Sequence, residues 1–282
     1  MGEETEWVSE YKTLLPNDDP ETRREYWELA KGLQKADGLS TSEYLETIIA
    51  DTINGDYDTA EAVARVGKYY DELPEGASER ESEEADKVSA RITEYLEKEG
   101  FKFAPVQLKL IHRDLFQDMP EFSPGQYRRK NIYKNEDVLH GDTVRYANWE
   151  DIEELLAYDF NEESKSVYAL PFTSAQVKTL ARLVSGVWET HPFYEGNTRT
   201  VSTFLITYLK SLGVEINNDP FKEQTLWFRN ALVRANYNNV AEGIRSEPRY
   251  LELFLENTLM NTTHNLQSID LTAKSRQGRR SL

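Results

Sequence analysis

The stretch that most constrains the fold runs from His191 to Gly213, HPFYEGNTRTVSTFLITYLKSLG. Its second half, VSTFLITYLKSLG, is apolar nearly all round and reads as a helix buried on every side. The segment before it, TSAQVKTLARLVSGVWET, places Val177, Leu180, Leu183, Val184 and Val187 at helical spacing. The ten residues HPFYEGNTRT therefore form a loop between two packed helices. That loop carries a base (His191), a carboxylate (Glu195), a glycine (Gly196), an amide (Asn197) and a guanidinium (Arg199).

Each residue type has a use against a nucleotide phosphate. Gly196 lets the backbone approach an anion, and the N–H groups opening the next helix, from Asn197 to Thr200, point at it. Arg199 can hold phosphate oxygens in a bidentate fork. Glu195 suits a bridging Mg²⁺ better than a bare phosphate. His191 can take a proton from an attacking hydroxyl. Taken singly, these residues fit equally well a plain helix–loop–helix turn with a capping His and an Arg199–Glu195 pair.

As a set, His191, Phe193, Glu195, Gly196, Asn197 and Arg199 resemble the Fic motif, HxFx(D/E)GNGRxxR. The motif is departed from at two places, Thr198 for the usual Gly and Ser202 for the second Arg. The resemblance implies a mainly helical, all-α fold with a short β-hairpin flap, and the transfer of AMP from ATP to a protein Ser, Thr or Tyr hydroxyl with release of pyrophosphate. It implies His191 as general base, Phe193 packed beneath the loop, Glu195 on Mg²⁺ or Mn²⁺, and Gly196, Asn197, Thr198 and Arg199 around the phosphates. In the family the second Arg contacts the γ-phosphate, so Ser202 weakens the expected grip on ATP and opens the choice of donor.

Composition sets limits. The chain has 282 residues, enough for one large or two modest domains, and a net charge of −17, which argues against nucleic-acid binding and hints at a basic target segment. It has no Cys, so thiolate chemistry and disulfides are excluded. No apolar run reaches membrane-span length and MGEETEWVSE lacks the parts of a signal peptide, so the cytoplasm is the expected location.

Along the chain, residues 1–20 form a turn-rich lead. Helical patterns at ETRREYWELAKGLQKADG, SEYLETIIADTING and TAEAVARVGKYYDEL, the second capped by Ser40 or Thr41, make a small bundle at 21–73. Residues 74–104 are a charged linker and a leading helix, 105–260 the main helical domain, and 261–282 a flexible tail. In VQLKLIHRDLFQDM, His112 reads as a structural residue, and the helix resembles the first core helix of a Fic domain. Segments IYKN and TVRYAN read as two strands around His140-Gly141-Asp142. A plain hairpin and the family's flap, which docks the target at about 131–146, both fit.

The family resemblance extends less specifically. Residues 21–73 resemble an antitoxin-like domain, in which (S/T)xxxE(G/N) supplies a Glu that clamps the second motif Arg; here Leu33 and Asp37 occupy those places. Small Fic proteins carry the same motif on a C-terminal helix, where Glu256-Asn257 fits its second half and Glu252 stands for the Ser/Thr. Asp37 and Glu256 are thus the candidate inhibitory groups, with the usual clamp altered at both ends. Phe228 and Asn236 match an aromatic and an amide that border adenine, although Phe228 serves equally as core. Self-modification needs no separate partner. The alternatives are a toxin–antitoxin-like protein that binds nucleotide without turnover, and an enzyme that removes AMP.

Overall fold

The computed structural model describes residues 19–274. Among the described residues there are eleven α-helices and no sheet: α1 (Pro20–Gln34), α2 (Glu43–Asn54), α3 (Thr59–Glu72), α4 (Glu83–Glu97), α5 (Val106–Phe116), α6 (Ile152–Glu163), α7 (Ser174–Thr190), α8 (Asn197–Ser211), α9 (Asp219–Glu223), α10 (Thr225–Asn236) and α11 (Arg249–Leu259). The all-α expectation holds, and none of these helices is long and apolar enough to cross a membrane.

Local chemistry starts the helices where the sequence places them. Asp19 accepts hydrogen bonds from the N–H groups of Glu21 and Thr22 at the head of α1, where Pro20 occupies the first turn. Asp58 does the same for α3 through Glu61 N–H. The cap of α2 is Ser42 rather than Ser40 or Thr41, because the Ser42 hydroxyl reaches Leu45 N–H while its own N–H bonds to buried Asp86 on α4. Tyr70 of α3 donates to the same Asp86 carboxylate at 2.7 Å, so one buried acid ties together three helices. A reciprocal capping box between Thr173 and Gln176 opens α7.

Two apolar clusters result. The smaller joins Trp27, Leu45, Ile48, Ile49, Ile53, Ala62, Val66 and Tyr70, and α4 contributes Ala90 to it. The larger holds α5 to α11 and takes Leu29, Ala30 and Leu33 from α1 and Val88 and Ile92 from α4. Helices α1 and α4 thus have a face in each cluster, and what reads in sequence as a leading helix after a linker completes the N-terminal bundle. Helix α8 is buried along almost its whole length, as its all-round apolar pattern requires.

Two expectations are corrected. The segment 131–146 has the shape of a hairpin but no strands: its arms are bridged by Glu136 N–H to Asp142 O and by Lys134 N–H to Thr143 Oγ1, without a ladder. A short 3₁₀ turn, Asp137–Leu139, fills the bend instead, with Val138, Leu139, Val144 and Tyr146 turned into the core. Those four buried side chains fix the arms against the helices, and the backbone follows the core rather than its neighbour strand. Within the expected flexible tail, residues 261–274 pack on the helices, since Leu266, Leu271 and Ala273 are buried and Ala273 N–H bonds to Val138 O. Residues 1–18 and 275–282 lie outside the described residues.

Gly32 marks the tightest helix contact. A Cβ there would lie 2.5 Å from Lys222 Cα, so α1 and α9 touch backbone to backbone. Gly32→Ala should lower unfolding free energy by about 1–3 kcal/mol through overpacking. Gly67→Ala on α3, where a Cβ meets nothing within 4 Å, should raise it by about 0.5–1 kcal/mol. Urea unfolding of both variants checks the pair, and a neutral Gly32→Ala would refute the close α1–α9 approach.

Candidate functional site

The site is the loop between α7 and α8. Helix α7 ends at His191, whose φ of 47° and ψ of 60° are left-handed, and Pro192 prevents the helix from continuing. A His in this conformation is strained by about 1–2 kcal/mol. The surrounding structure holds it there. His191 N–H bonds to Trp188 O, and the buried Arg128 guanidinium donates from Nε to His191 O at 2.8 Å. The same guanidinium reaches Thr190 O, Ala147 O and Lys130 O, and Arg128 N–H bonds to Pro192 O. One side chain thus staples the hairpin loop to the motif loop.

The imidazole of His191 is 7% exposed and lies 4.1 Å from the Tyr146 ring, centroid to centroid. Its Nδ1 is buried and has no hydrogen-bond partner. Burial, with further repulsion from Lys134, Arg128 and Arg229, lowers its pKa from 6.5 to about 3. The ring is therefore neutral at pH 7 and has a lone pair available.

The remainder of the loop is locked from within. Asn197 Oδ1 accepts from Phe193 N–H, and Asn197 Nδ2 donates to Phe193 O. Phe193 is fully buried beneath the loop, stacked on the His112 ring at 3.8 Å. His112 is structural: Nδ1 accepts from Gly125 N–H, so Nε2 carries the proton donated to Glu195 O. Thr198, in place of the motif glycine, accepts from Trp188 Nε1 at 3.0 Å. Gly196 has a φ of 71°, and a Cβ there would lie 2.3 Å from the Phe116 ring, so position 196 admits no side chain. No side chain caps α8, which leaves its first N–H groups open toward the loop. Glu195 is exposed, and its carboxylate has no partner among the described residues.

Arg199 is the motif's one cation and is 2% exposed. Its Nη2 donates to Glu84 Oε1 at 2.7 Å and its Nη1 to Gln34 Oε1 at 3.1 Å. Asp37 Oδ2 lies 2.9 Å from Nε but off the N–H axis, a charge pair rather than a hydrogen bond. Phe116 covers the guanidinium at 4.9 Å. The positions a phosphate would take around Arg199 are therefore filled by groups from α1, its 3₁₀ extension and α4.

The structure places Asp37 against Arg199, and Asn197 and Thr198 in the contacts that hold the motif loop; the other candidate residues make the following contacts. Ser202 is fully buried within α8, and its hydroxyl has no partner among the described residues. Phe228 is fully buried among Phe221 and Phe254, a core position. The Asn236 amide is used up on Ser185 and Leu232 O, where it ties α10 to α7. Glu256 is bound by Arg249 at 2.7 Å and by His264, which hold its pKa below the usual carboxylate value, and it makes no contact with the motif. Sequence reasoning missed Glu84, Gln34, Phe116 and Arg128. The charge run from Glu75 to Lys87 contains Glu84 but carries no sign that this one acid faces inward.

Compared with known proteins, residues 102–209 match the Fic/DOC family, a span that includes α5, the hairpin loop, α6, α7 and the motif loop and ends within α8. No curated protein matches the chain.

Because the folded pKa of His191 lies below the unfolded value, the unfolded chain takes up the proton first as pH falls. Stability therefore declines below pH 6.5 until the folded group titrates near 3, at about 1.4 kcal/mol per pH unit. Between pH 7 and 5 the wild type should lose about 2 kcal/mol more than His191→Gln, as read by urea unfolding. Equal losses would mean that the ring is not buried neutral.

Proposed function

We propose that this chain transfers a nucleotidyl group, AMP from ATP in the first instance, to a hydroxyl of a protein target or of itself. The observation that carries this reading is the cage around Arg199. A buried guanidinium in the first turn of an uncapped helix, on the helix that follows the loop bearing His191, is an anion site whose present occupants are the carboxylates of Asp37 and Glu84. The Fic/DOC match at 102–209 supports nucleotidyl transfer at the general level.

In the reaction, His191 accepts the proton of the target hydroxyl, whose oxygen attacks the α-phosphorus. The bond to the bridging oxygen breaks, and pyrophosphate leaves with the bridging electron pair. An imidazole of pKa about 3 is a weak base, and an anionic donor placed among Lys134, Arg128 and Arg229 raises it toward a useful value. Arg199 holds phosphate oxygens once the two carboxylates release it, and the open N–H groups of α8 add to the hold. Glu195 has a free, exposed carboxylate, which fits a divalent cation shared with the phosphates, since Mg²⁺ commonly takes one protein carboxylate plus phosphate oxygens. Such a cation would neutralise charge on the leaving pyrophosphate. The buried Ser202 supplies nothing to a γ-phosphate, so discrimination among nucleotide donors falls to the remainder of the site.

The bundle at about 21–73 together with α4 is then an inhibitory unit acting through Asp37 and Glu84. Two other readings, a protein that binds nucleotide without turnover and an enzyme that removes AMP, are outcomes of the same test. Intact mass after incubation with ATP and Mg²⁺ or Mn²⁺ should show a gain of AMP in the wild type and none in His191→Ala. Asp37→Ala combined with Glu84→Gln should speed the gain by about tenfold or more, the equivalent of at least 1.4 kcal/mol removed from the cage. No gain in any of these proteins, while ATP still raises the unfolding temperature, would defeat transfer and leave binding alone. Loss of AMP from a modified target would point to removal.

A further inference from the structure

The hairpin loop carries a charge opposite to that of the chain. The protein has a net charge of −17, yet Arg129, Lys130, Lys134 and Arg145 are all exposed on the loop arms and form no ion pair among the described residues. The anions of the loop are turned elsewhere. Glu136 is buried and paired with Arg229 at 2.8 Å. Asp142 sits at the bend, where it accepts from Tyr237 OH, Thr143 N–H and Asn239. Asp137, in the 3₁₀ turn at the bend, is the other exposed acid of the loop. The cations therefore occupy the arms and the acids the tip.

The arms lie beside the motif. Arg129 N–H donates to the Tyr194 hydroxyl, and Arg128 N–H bonds to Pro192 O, so the first arm runs along the loop that carries the base. Lys134 is the strongest charge acting on His191. Two large rings are exposed along this surface, Tyr133 at 79% among the cations and Trp149 at 38% at its border, between Arg129 and the exposed acids Glu150 and Glu153. The arm also has open main-chain groups: Asn131, Ile132 and Tyr133 make no backbone–backbone hydrogen bond among the described residues. The surface is held in shape from behind, because His140 Nε2 bonds to Ala273 O and Ala273 N–H to Val138 O.

We infer that the hairpin loop is a docking surface for an acidic polypeptide segment, one with Asp or Glu flanking the hydroxyl presented to His191. Whole-chain charge points to a basic target, and the local distribution reverses that expectation. Unpaired cations on an otherwise acidic protein attract acidic partners and repel nothing within the segment that binds, while the acidic remainder of the surface turns away nucleic acid. Extended main chain pairs with the open arm, and the exposed rings pack against its side chains. This inference rests on the proposed transfer only for what becomes of the hydroxyl; the docking itself does not.

The test uses the full chain and two fluorescein-labelled peptides with a central tyrosine, one flanked on both sides by aspartate and glutamate, the other by lysine. By fluorescence anisotropy the acidic peptide should bind at least roughly tenfold more tightly than the basic one and weaken as NaCl is raised. A variant with Arg129→Gln, Lys130→Gln, Lys134→Gln and Arg145→Gln should lose that binding by a similar factor while its thermal unfolding stays unchanged, as expected for four exposed, unpaired side chains. Equal or tighter binding of the basic peptide, or an unaffected variant, overturns the inference. Tighter binding of a single-stranded oligonucleotide of equal charge overturns it in favour of nucleic acid. Adding ATP and Mg²⁺ separates the two proposals. Transfer to the basic peptide in preference overturns the docking surface and leaves the transferase; retained acidic binding with no transfer to any peptide does the reverse.

Discussion

The buried guanidinium of Arg199 is the interaction on which the arrangement of this molecule turns. A charge at 2% exposure is tolerated only if it is paired and hydrogen-bonded, and its partners come from sequence positions 115 and 165 residues away. Removing one partner from a buried pair leaves an uncompensated charge at a cost of about 3–5 kcal/mol. An incoming phosphate is the one replacement that satisfies the guanidinium without that cost. The N-terminal helices therefore support α8 and, under the proposed function, would compete with a phosphate for its guanidinium. A lone Arg in the first turn of a helix would otherwise face the positive end of the helix dipole unfavourably, and the two carboxylates answer that as well.

The second constraint is the shape of the loop, which is set before any ligand arrives. Arg128 donates to main-chain carbonyls on both sides of the site, Asn197 closes the loop onto Phe193, and Phe116 leaves no room for a side chain at 196. The left-handed His191 is the strained residue in this frame, and strain of this kind persists only where neighbours over-determine it. Preorganisation of this sort places the imidazole without requiring motion at the moment of reaction. It also explains why a motif departure such as Thr198 is absorbed: its hydroxyl takes the Trp188 indole N–H and strengthens the frame.

What was legible in the sequence follows from the range of the forces involved. Helix positions were readable because periodicity acts within a few residues, whereas the one cap read from the sequence, Ser40 or Thr41, lies at Ser42 in the structure. The loop residues were readable because they are consecutive. Asp37 was found through resemblance, in spite of its altered residue type, and the structure places it on Arg199, a partner shifted from the position the resemblance implied. Phe228 and Asn236 were matched by spacing alone, which does not tell a ligand contact from packing, and in the structure both lie in helix packing, Phe228 in the core and Asn236 between α10 and α7. The strands of the hairpin failed for a related reason: alternation in IYKN and TVRYAN reports which side chains turn inward, and here inward means onto helices. Glu84 was invisible because in sequence it is one acid among many.

The charges around Arg199 and those of the hairpin loop are managed independently, which under the proposed function would separate the control of the donor from the recognition of the acceptor. Among the described residues the side chains of Asp37 and Glu84 make their polar contacts with Arg199 alone, and neither touches the hairpin loop. The cations of the loop, conversely, have no ion-pair partner to displace among the described residues. An acidic segment can therefore settle on the arms while the phosphate site is still closed by carboxylates. Docking then brings further negative charge toward His191, whose pKa is held low partly by Lys134. Under the proposed transfer, neutralising Lys134 by a bound acid would remove one of the repulsions that make the imidazole a weak base, so one contact would both position the hydroxyl and improve its base.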